Sequence, residues 1–336
     1  MLRHSTDSKP GITRERKSSG WGYFAPDGQR ITDRAEIDRL NALALPPAYS
    51  DAWFCPDRDG HLQATGRDAR GRKQYRYHDD FRARRDKSKY GSTLEFGAAL
   101  PKIRKRVEAD LKKRTLSRDT VLAAVVRLLD TQHIRIGNEQ YARSNKSFGA
   151  TTLRTRHVRK AGNKLKMRFT GKHGIVHEVA VTDANLKRIV AKCQDLPGQN
   201  LFQYVGDDGE PHAITSADVN AYIREASGDD FTAKSFRTWG ASVIAFEQML
   251  ASEEGARLSV KTMVEPVAEA LGNTVAMSRK SYVHPRLIEA VRDDPRDALK
   301  GLKPPRPRKY LSGAEVGMIA FLSKKPRRKP RAGAAA

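Results

Sequence analysis

Residues 271–285 read Leu271-Gly272-Asn273-Thr274-Val275-Ala276-Met277-Ser278-Arg279-Lys280-Ser281-Tyr282-Val283-His284-Pro285. The stretch sets Tyr282 close to two basic residues, Arg279 and Lys280, just ahead of a His-Pro step that disfavours continued helix. A phenolic hydroxyl ionises near pH 10 in water, so Tyr282 attacks an electrophile at neutral pH only where something else lowers the barrier. A phosphodiester held by several arginines supplies that help, because the guanidinium groups neutralise charge building on the phosphate oxygens. Taken by itself the stretch favours a plainer reading, one of ten tyrosines half buried at a helix end. What changes this lies upstream.

The balance of 63 Lys plus Arg against 39 Asp plus Glu leaves a net charge of +24. Such an excess calls for a polyanion or counterions, and DNA or RNA is the commonest such partner. Charge says nothing about chemistry, since DNA-packaging proteins carry it too. Hydrophobic residues make up 38% and charged residues 30%, and no run approaches the roughly 18 apolar residues of a membrane span. The N-terminus is basic but has no apolar segment of the signal-peptide kind, so no membrane or secretory association is expected. Cys55 and Cys193 have no metal-type spacing, which fits a reducing cytosol. At 336 residues the chain accommodates about two domains.

Residues 1–20 read as a flexible basic arm. From Trp21 to position 80 the pattern is β, with turn signatures at Pro26-Asp27-Gly28, Asp57-Arg58-Asp59-Gly60 and Asp68-Ala69-Arg70-Gly71. The last strand of this small antiparallel domain carries Lys73, Gln74, Tyr75, Arg76 and Tyr77, with both tyrosines on one face. Basic and aromatic residues interleaved in this way suit nucleic acid, and equally a β-core with a solvated outer face. A charged segment, 81–91 (Arg82, Arg84, Arg85, Lys87, Lys89), reads as a hinge. Beyond it Leu100, Ile103, Val107 and Leu111 recur at helical steps, and Ser117 caps a helix striped by Val121, Leu122, Val125, Leu128 and Leu129. A hairpin over 164–181 turns at Gly171-Lys172-His173-Gly174, and helices centre near 190, 220, 243, 265 and 289. From 301 to 336 a proline-interrupted basic tail, including Lys303, Lys324, Lys325, Arg327, Arg328, Lys329 and Arg331, reads as an electrostatic tether.

Four stretches accompany Tyr282: His133-Ile134-Arg135-Ile136-Gly137-Asn138, the Lys172 hairpin tip, Lys234-Ser235-Phe236-Arg237-Thr238-Trp239-Gly240, and Leu271-Gly272-Asn273-Thr274. Arg135 in R-I-G-N, Lys172 in the G-K turn, Arg237 in F-R-T-W-G and Tyr282 in S-R-K-S-Y-V-H-P together resemble the active-site signature of type IB DNA topoisomerases, in the compact poxvirus-like branch found in bacteria. The resemblance covers roughly residues 20–300. It implies an α+β protein: a small antiparallel β-sheet N-terminal domain (21–80) and a larger, mainly α-helical catalytic domain (92–300) of the topoisomerase IB and tyrosine recombinase type, closing as a clamp around duplex DNA. It also implies Tyr282 as nucleophile forming a 3′-phosphotyrosyl intermediate, Arg135, Arg237 and Asn273 on the phosphate oxygens, and Lys172 as general acid. Poxvirus enzymes have histidine where this chain has Asn273; an amide can donate the same hydrogen bond without charge, which leaves no imidazolium at that position. Lys73, Gln74, Tyr75, Tyr77, Tyr141 and Lys234 complete the expected DNA contacts. Neither ATP nor a divalent metal is expected, and the protein is expected to act as a cytoplasmic, nucleoid-associated monomer on double-stranded DNA.

The residue types fit that chemistry. Forked guanidinium groups suit non-bridging phosphate oxygens. A lysine between arginines has its pKa pulled down, as suits a proton donor to the departing 5′-oxygen. Gly206-Asp207-Asp208-Gly209 and Gly228-Asp229-Asp230 read as turns rather than a metal nuclease site, and His173 and His177 stand roughly 13 Å apart on a strand, too far to share an ion. A tyrosine recombinase and a packaging protein without chemistry remain the alternatives.

Overall fold

The structure is a computed structural model and describes residues 1–324 apart from 19, 163, 253–257 and 303–304. The expected tail cations Lys303, Lys325, Arg327, Arg328, Lys329 and Arg331 lie outside the described residues, as do the side chains of Lys87 and Lys89. The chain divides into two compact units, Met1–Lys89 and Tyr90–Ala336.

The first unit is built from small antiparallel sheets. Strands β1 (Thr13–Lys17) and β2 (Gly20–Phe24) form a hairpin; helix α1 (Arg34–Ala42) follows; then β3 (Ser50–Phe54), β4 (Leu62–Arg67) and β5 (Lys73–Tyr77) make a three-stranded sheet with β4 central. Asp33 accepts from the Ala35 N–H and caps α1. Gly71, at φ +70°, closes the turn into β5 with its N–H on the Asp68 carbonyl. Ile12, Tyr23, Leu40, Leu45, Phe54 and Ala64 form the core. The expected flexible arm is therefore corrected. Ile12 and Phe54 exchange backbone hydrogen bonds of 2.9 and 2.8 Å, Ser5 Oγ donates to the Leu62 carbonyl at 3.0 Å, and Asp7 pairs with Lys73 and accepts from Thr65 at 2.8 Å. β1 contributes backbone bonds while its side chains stay mostly exposed, so it shows no apolar alternation to read.

The unit boundary, between Lys89 and Tyr90, falls within the expected 81–91 hinge, and that segment is part of helix α2 (Asp79–Lys112). Its run of Arg and Lys forms helix because unbranched side chains lose little rotamer freedom there, and polar residues display no stripe. The second unit continues with α3 (Arg118–Gln132), α4 (Glu139–Asn145), the antiparallel sheet β6 (Val158–Ala161), β7 (Lys164–Thr170) and β8 (Val176–Val181), and helix α5 (Ala184–Gln194). A short hairpin of β9 (Gln203–Val205) and β10 (Pro211–Ala213) leads into α6 (Ser216–Ser227), α7 (Ala233–Leu250), α8 (Val260–Leu271), α9 (Val275–Ser281), α10 (Pro285–Asp293), α11 (Pro295–Leu299) and α12 (Gly313–Ser323). Helix α3 is central: its stripe is fully buried, and it packs on α5, α6 and α7.

Helix α12 corrects the expected irregular tail. Met318, Phe321 and Leu322 are buried in the main core, with Phe321 packed on Phe246 of α7. Each such side chain contributes about 1.5–3 kcal/mol through burial. The prolines at 304, 305, 307, 326 and 330 flank the helix rather than interrupt it. Among the described residues no helix is long and apolar enough to cross a membrane.

Candidate active site

Arg237 lies in the first half of α7 and is 3% exposed. Its guanidinium donates to two helix ends: to the carbonyl of His133, the left-handed residue that terminates α3 (φ +49°), and at 3.0 Å to that of Leu271, the last residue of α8. Carbonyls at helix C-termini lack intrahelical donors and carry partial negative charge, which makes a buried cation tolerable there. Gly240, one turn on, allows this packing, since a Cβ there would stand 2.4 Å from His133 Cε1. Burial, then the charge of Arg135, pulls the Arg237 pKa down to about 10, which leaves it charged at neutral pH.

From the opposite side α7 is braced by a buried ion network. Trp239 Nε1 donates at 3.0 Å to Glu315 of α12, and Arg104 forks between Glu315 and Asp130 of α3 with four contacts of 2.8 Å. Glu315 also caps α12, accepting from the Ser312 N–H at 2.8 Å. The helix that presents Arg237 is thus tied to α2, α3 and α12.

Tyr282 caps the C-terminus of α9, its N–H on the Ser278 carbonyl at 3.0 Å. Ser242 of α7 pins this segment: its hydroxyl lies 3.3 Å from the Tyr282 carbonyl and accepts from the His284 N–H at 3.1 Å. His284 then caps α10, with Pro285 at the first helical position, where its missing N–H costs nothing. The Arg237 guanidinium carbon stands 5.1 Å from the Tyr282 ring centroid. Burial pushes the phenol up, but the charges of Arg237 and Arg135, a hydrogen bond from Arg237 and the charge of Lys234 outweigh it, so its pKa falls below the ordinary 10.0. A tyrosine that ionises more easily is a better nucleophile.

Asn273 follows from local helix chemistry. Gly272 ends α8 at φ +59°, the Asn273 N–H reaches back to the Ala268 carbonyl at 2.9 Å, and Thr274 opens α9 by accepting from Met277 N at 3.2 Å. Asn273 Oδ1 accepts from Arg135 Nη2 at 3.0 Å, while its Nδ2 is buried with no acceptor among the described residues. Arg135 sits on a short segment clamped by the one-turn helix at 150–152: Ala150 N donates to the Arg135 carbonyl (2.8 Å) and Thr151 N to that of Ile136 (2.7 Å). A Cβ on Gly149 would meet the Arg135 carbonyl oxygen at 2.5 Å, so only glycine lets the strands approach this closely.

Lys172 stands exposed at the turn between β7 and β8, on a 3₁₀ turn whose His173 is left-handed at φ +65°. The stem of this hairpin reaches the cluster. A Cβ on Gly272 would meet His177 Cε1 at 2.9 Å, and burial, then the charges of Arg237 and Arg135, lowers the His177 pKa.

Arg135, Arg237, Asn273 and Tyr282 thus converge, with the Lys172 hairpin against them. The description "Eukaryotic DNA topoisomerase I, catalytic core" matches residues 78–300, and "Bacterial DNA topoisomerase IB, N-terminal domain" matches residues 20–68. The chain belongs to the type IB DNA topoisomerases. It is 31% identical to DNA topoisomerase 1B of Acanthamoeba polyphaga mimivirus over 298 residues, covering 85% of this chain and 88% of the relative. To the vaccinia virus (strain Copenhagen) DNA topoisomerase 1B it is 22% identical over 248 residues, or 73% and 76% of the two chains. To the mitochondrial DNA topoisomerase I of Rattus norvegicus it is 27% identical over 176 residues, 49% of this chain and 28% of the relative.

The other expected contacts of this type IB topoisomerase are spread over both units. In the first, Tyr75 is 48% exposed and stacks on Tyr77 at 6.1 Å, so the two share a face. Lys73 is held by Asp7, and Gln74 donates to Asp68 at 3.0 Å. In the second, Tyr141 is 52% exposed on α4, and Lys234 is exposed at the start of α7. Reading the residues overlooked His133, His177 and Ser242. His177 was within reach of strand alternation, since it shares a face with buried Val179 and Val181 of β8. The His133 carbonyl and Ser242 gave no pattern, because the first acts through a backbone atom and the second through a hydroxyl that bonds the backbone of residues some 40 positions away.

Proposed function

We propose that this chain relaxes supercoiled duplex DNA as a monomer of the bacterial nucleoid, its two units closing as a clamp on the double helix, and that it uses neither ATP nor a divalent metal. The Tyr282 oxygen attacks a backbone phosphorus; its proton passes to water as the bond to the deoxyribose 5′-oxygen breaks and Lys172 protonates that oxygen. A 3′-phosphotyrosyl bond replaces the phosphodiester, the free 5′ end swivels, and reversal of the same steps reseals the strand. One phosphoester is exchanged for another, so no energy source is needed. Arg135, Arg237 and Asn273 Nδ2 donate to the non-bridging oxygens, whose charge grows in the transition state. Lys73, Gln74, Tyr75, Tyr77, Tyr141 and Lys234 hold the duplex on either side.

These role assignments rest on one cluster: Tyr282 against Arg237, Arg135 bonded to Asn273, and a buried Asn273 Nδ2 that has no acceptor among the described residues. A buried amide N–H₂ without an acceptor costs about 1–3 kcal/mol, which a phosphate oxygen would recover. The test is to mix the protein with supercoiled plasmid in EDTA without ATP, then denature and locate the covalent adduct on end-labelled DNA. Relaxation with protein on the 3′ side of the nick is expected. Sequence-restricted rearrangement would point to a recombinase, and compaction without nicking would overturn the chemistry.

A further inference from the structure

The turn that carries Lys172 is exposed, yet its base is seated on one side chain. Gly171, immediately before Lys172, has its Cα so close to the His177 ring that a Cβ would stand 2.7 Å from Cδ2 and Nε2. Gly272, immediately before Asn273, meets the same ring, with a Cβ placed 2.9 Å from Cε1. Phe169 stacks on it at 5.2 Å and 17°. Two bare glycine backbones, one in the lysine turn and one in the asparagine loop, therefore share a single imidazole between them. The turn itself is closed by the Gly171 N–H on the Ile175 carbonyl at 2.7 Å, so displacing the ring moves the turn as a body.

We infer that His177 is a positioning residue that sets the Lys172 turn in register with the Asn273 loop, and so places the lysine ammonium against the leaving oxygen. The inference rests on the proposed participation of Lys172. The ring lies in the field of Arg135 and Arg237 and is held neutral there by burial and by those charges, in keeping with a spacer rather than a charge donor. Misplacing a reacting group by about 1 Å costs on the order of 10²-fold in rate. Truncating the ring is expected to carry that cost, and refilling the slot with a ring of similar size is expected to restore most of the rate.

The experiment measures single-turnover cleavage by His177→Ala, His177→Phe, Lys172→Ala and the Lys172→Ala/His177→Ala double variant, on duplexes with oxygen or sulfur at the bridging 5′ position of the scissile phosphate. His177→Ala is expected to be slowed about 10²-fold on oxygen, to recover on sulfur, and to add nothing to Lys172→Ala. His177→Phe is expected to stay near wild type. Independent, multiplying losses in the double variant would overturn the positioning role, because a residue acting through Lys172 has no effect once Lys172 is gone. So would a phenylalanine variant as slow as the alanine one, or an alanine variant at the wild-type rate. Lack of sulfur rescue in Lys172→Ala would instead remove the acid role of the lysine, with the double variant still deciding whether His177 acts through it. Duplex affinity and thermal unfolding of each variant identify misfolding; should His177→Ala misfold, His177→Val, which also leaves the slot unfilled, alone and combined with Lys172→Ala decides by the same criteria.

Discussion

Arg237 and Lys172 belong to the same unit, yet their surroundings are opposite. Arg237 is buried, donates to the ends of two helices, and rides on a helix tied through Trp239 and Glu315 to three others. Lys172 is exposed on a two-stranded turn. The contrast matches the tasks proposed for them. A group that stabilises developing charge is most effective when preorganised, so its orientation is fixed by structure it does not share with the substrate. A proton donor has to release and regain a proton, and an exposed ammonium exchanges with solvent freely.

The largest expected effect lies where both environments converge. Tyr282→Phe removes the proposed nucleophile and no positive charge, so relaxation is expected to vanish while duplex binding stays nearly intact; plasmid relaxation and a binding titration check both. Relaxation surviving in that variant would sink the assignment.

The next pair sharpens the contrast directly. Arg237→Ala is expected to lose about 10²–10³-fold in cleavage rate, with little recovery on the 5′-sulfur duplex, because the non-bridging oxygens it serves are unchanged. It should also unfold at lower denaturant, since two helix-end carbonyls lose their donor at about 1–3 kcal/mol each. Lys172→Ala is expected to lose about 10²–10⁴-fold on oxygen, to be largely rescued by sulfur, and to unfold like wild type. A stability loss in Lys172→Ala equal to that in Arg237→Ala would break the comparison.

A smaller effect on chemistry and a clear one on stability are expected from Glu315→Ala, which breaks a buried pair at about 3–5 kcal/mol. Burial raises the Glu315 pKa, but Arg104 outweighs it and holds the carboxyl below the ordinary 4.5. The stability this contributes is complete above the ordinary value and is lost as pH falls through the lowered one. Urea midpoints of wild type and variant should therefore differ most near neutrality and converge in acid; a gap that widens in acid would reverse the sign. Smallest of all, EDTA is expected to leave the relaxation rate unchanged, whereas strict dependence on a divalent ion would move the chemistry away from this arginine cluster.

Much of the site was legible because its residues obey local rules. Lys172 falls in a Gly-bounded turn, His284-Pro285 interrupts a helix next to Tyr282, and the helix capped by Ser117 shows its buried stripe in the spacing of its apolar residues. Elsewhere local rules were silent or misleading. The strand at Thr13–Lys17 is polar, the 81–91 segment is helical without an apolar stripe, and α12 lay hidden between prolines and cations.

By itself the sequence determined the order of the side chains proposed for catalysis, the secondary structure around most of them and the charge that suits a polyanion, since each depends on neighbours a few positions away. Only the tertiary structure decided that Arg237 is shared between the carbonyls of His133 and Leu271, that Asn273 turns its oxygen to Arg135 and leaves its nitrogen without an acceptor among the described residues, that Glu315 braces α7, and that His177 spans Gly171 and Gly272. These contacts join residues far apart in the chain through backbone atoms and close packing, and neither leaves a periodic trace in the order of amino acids.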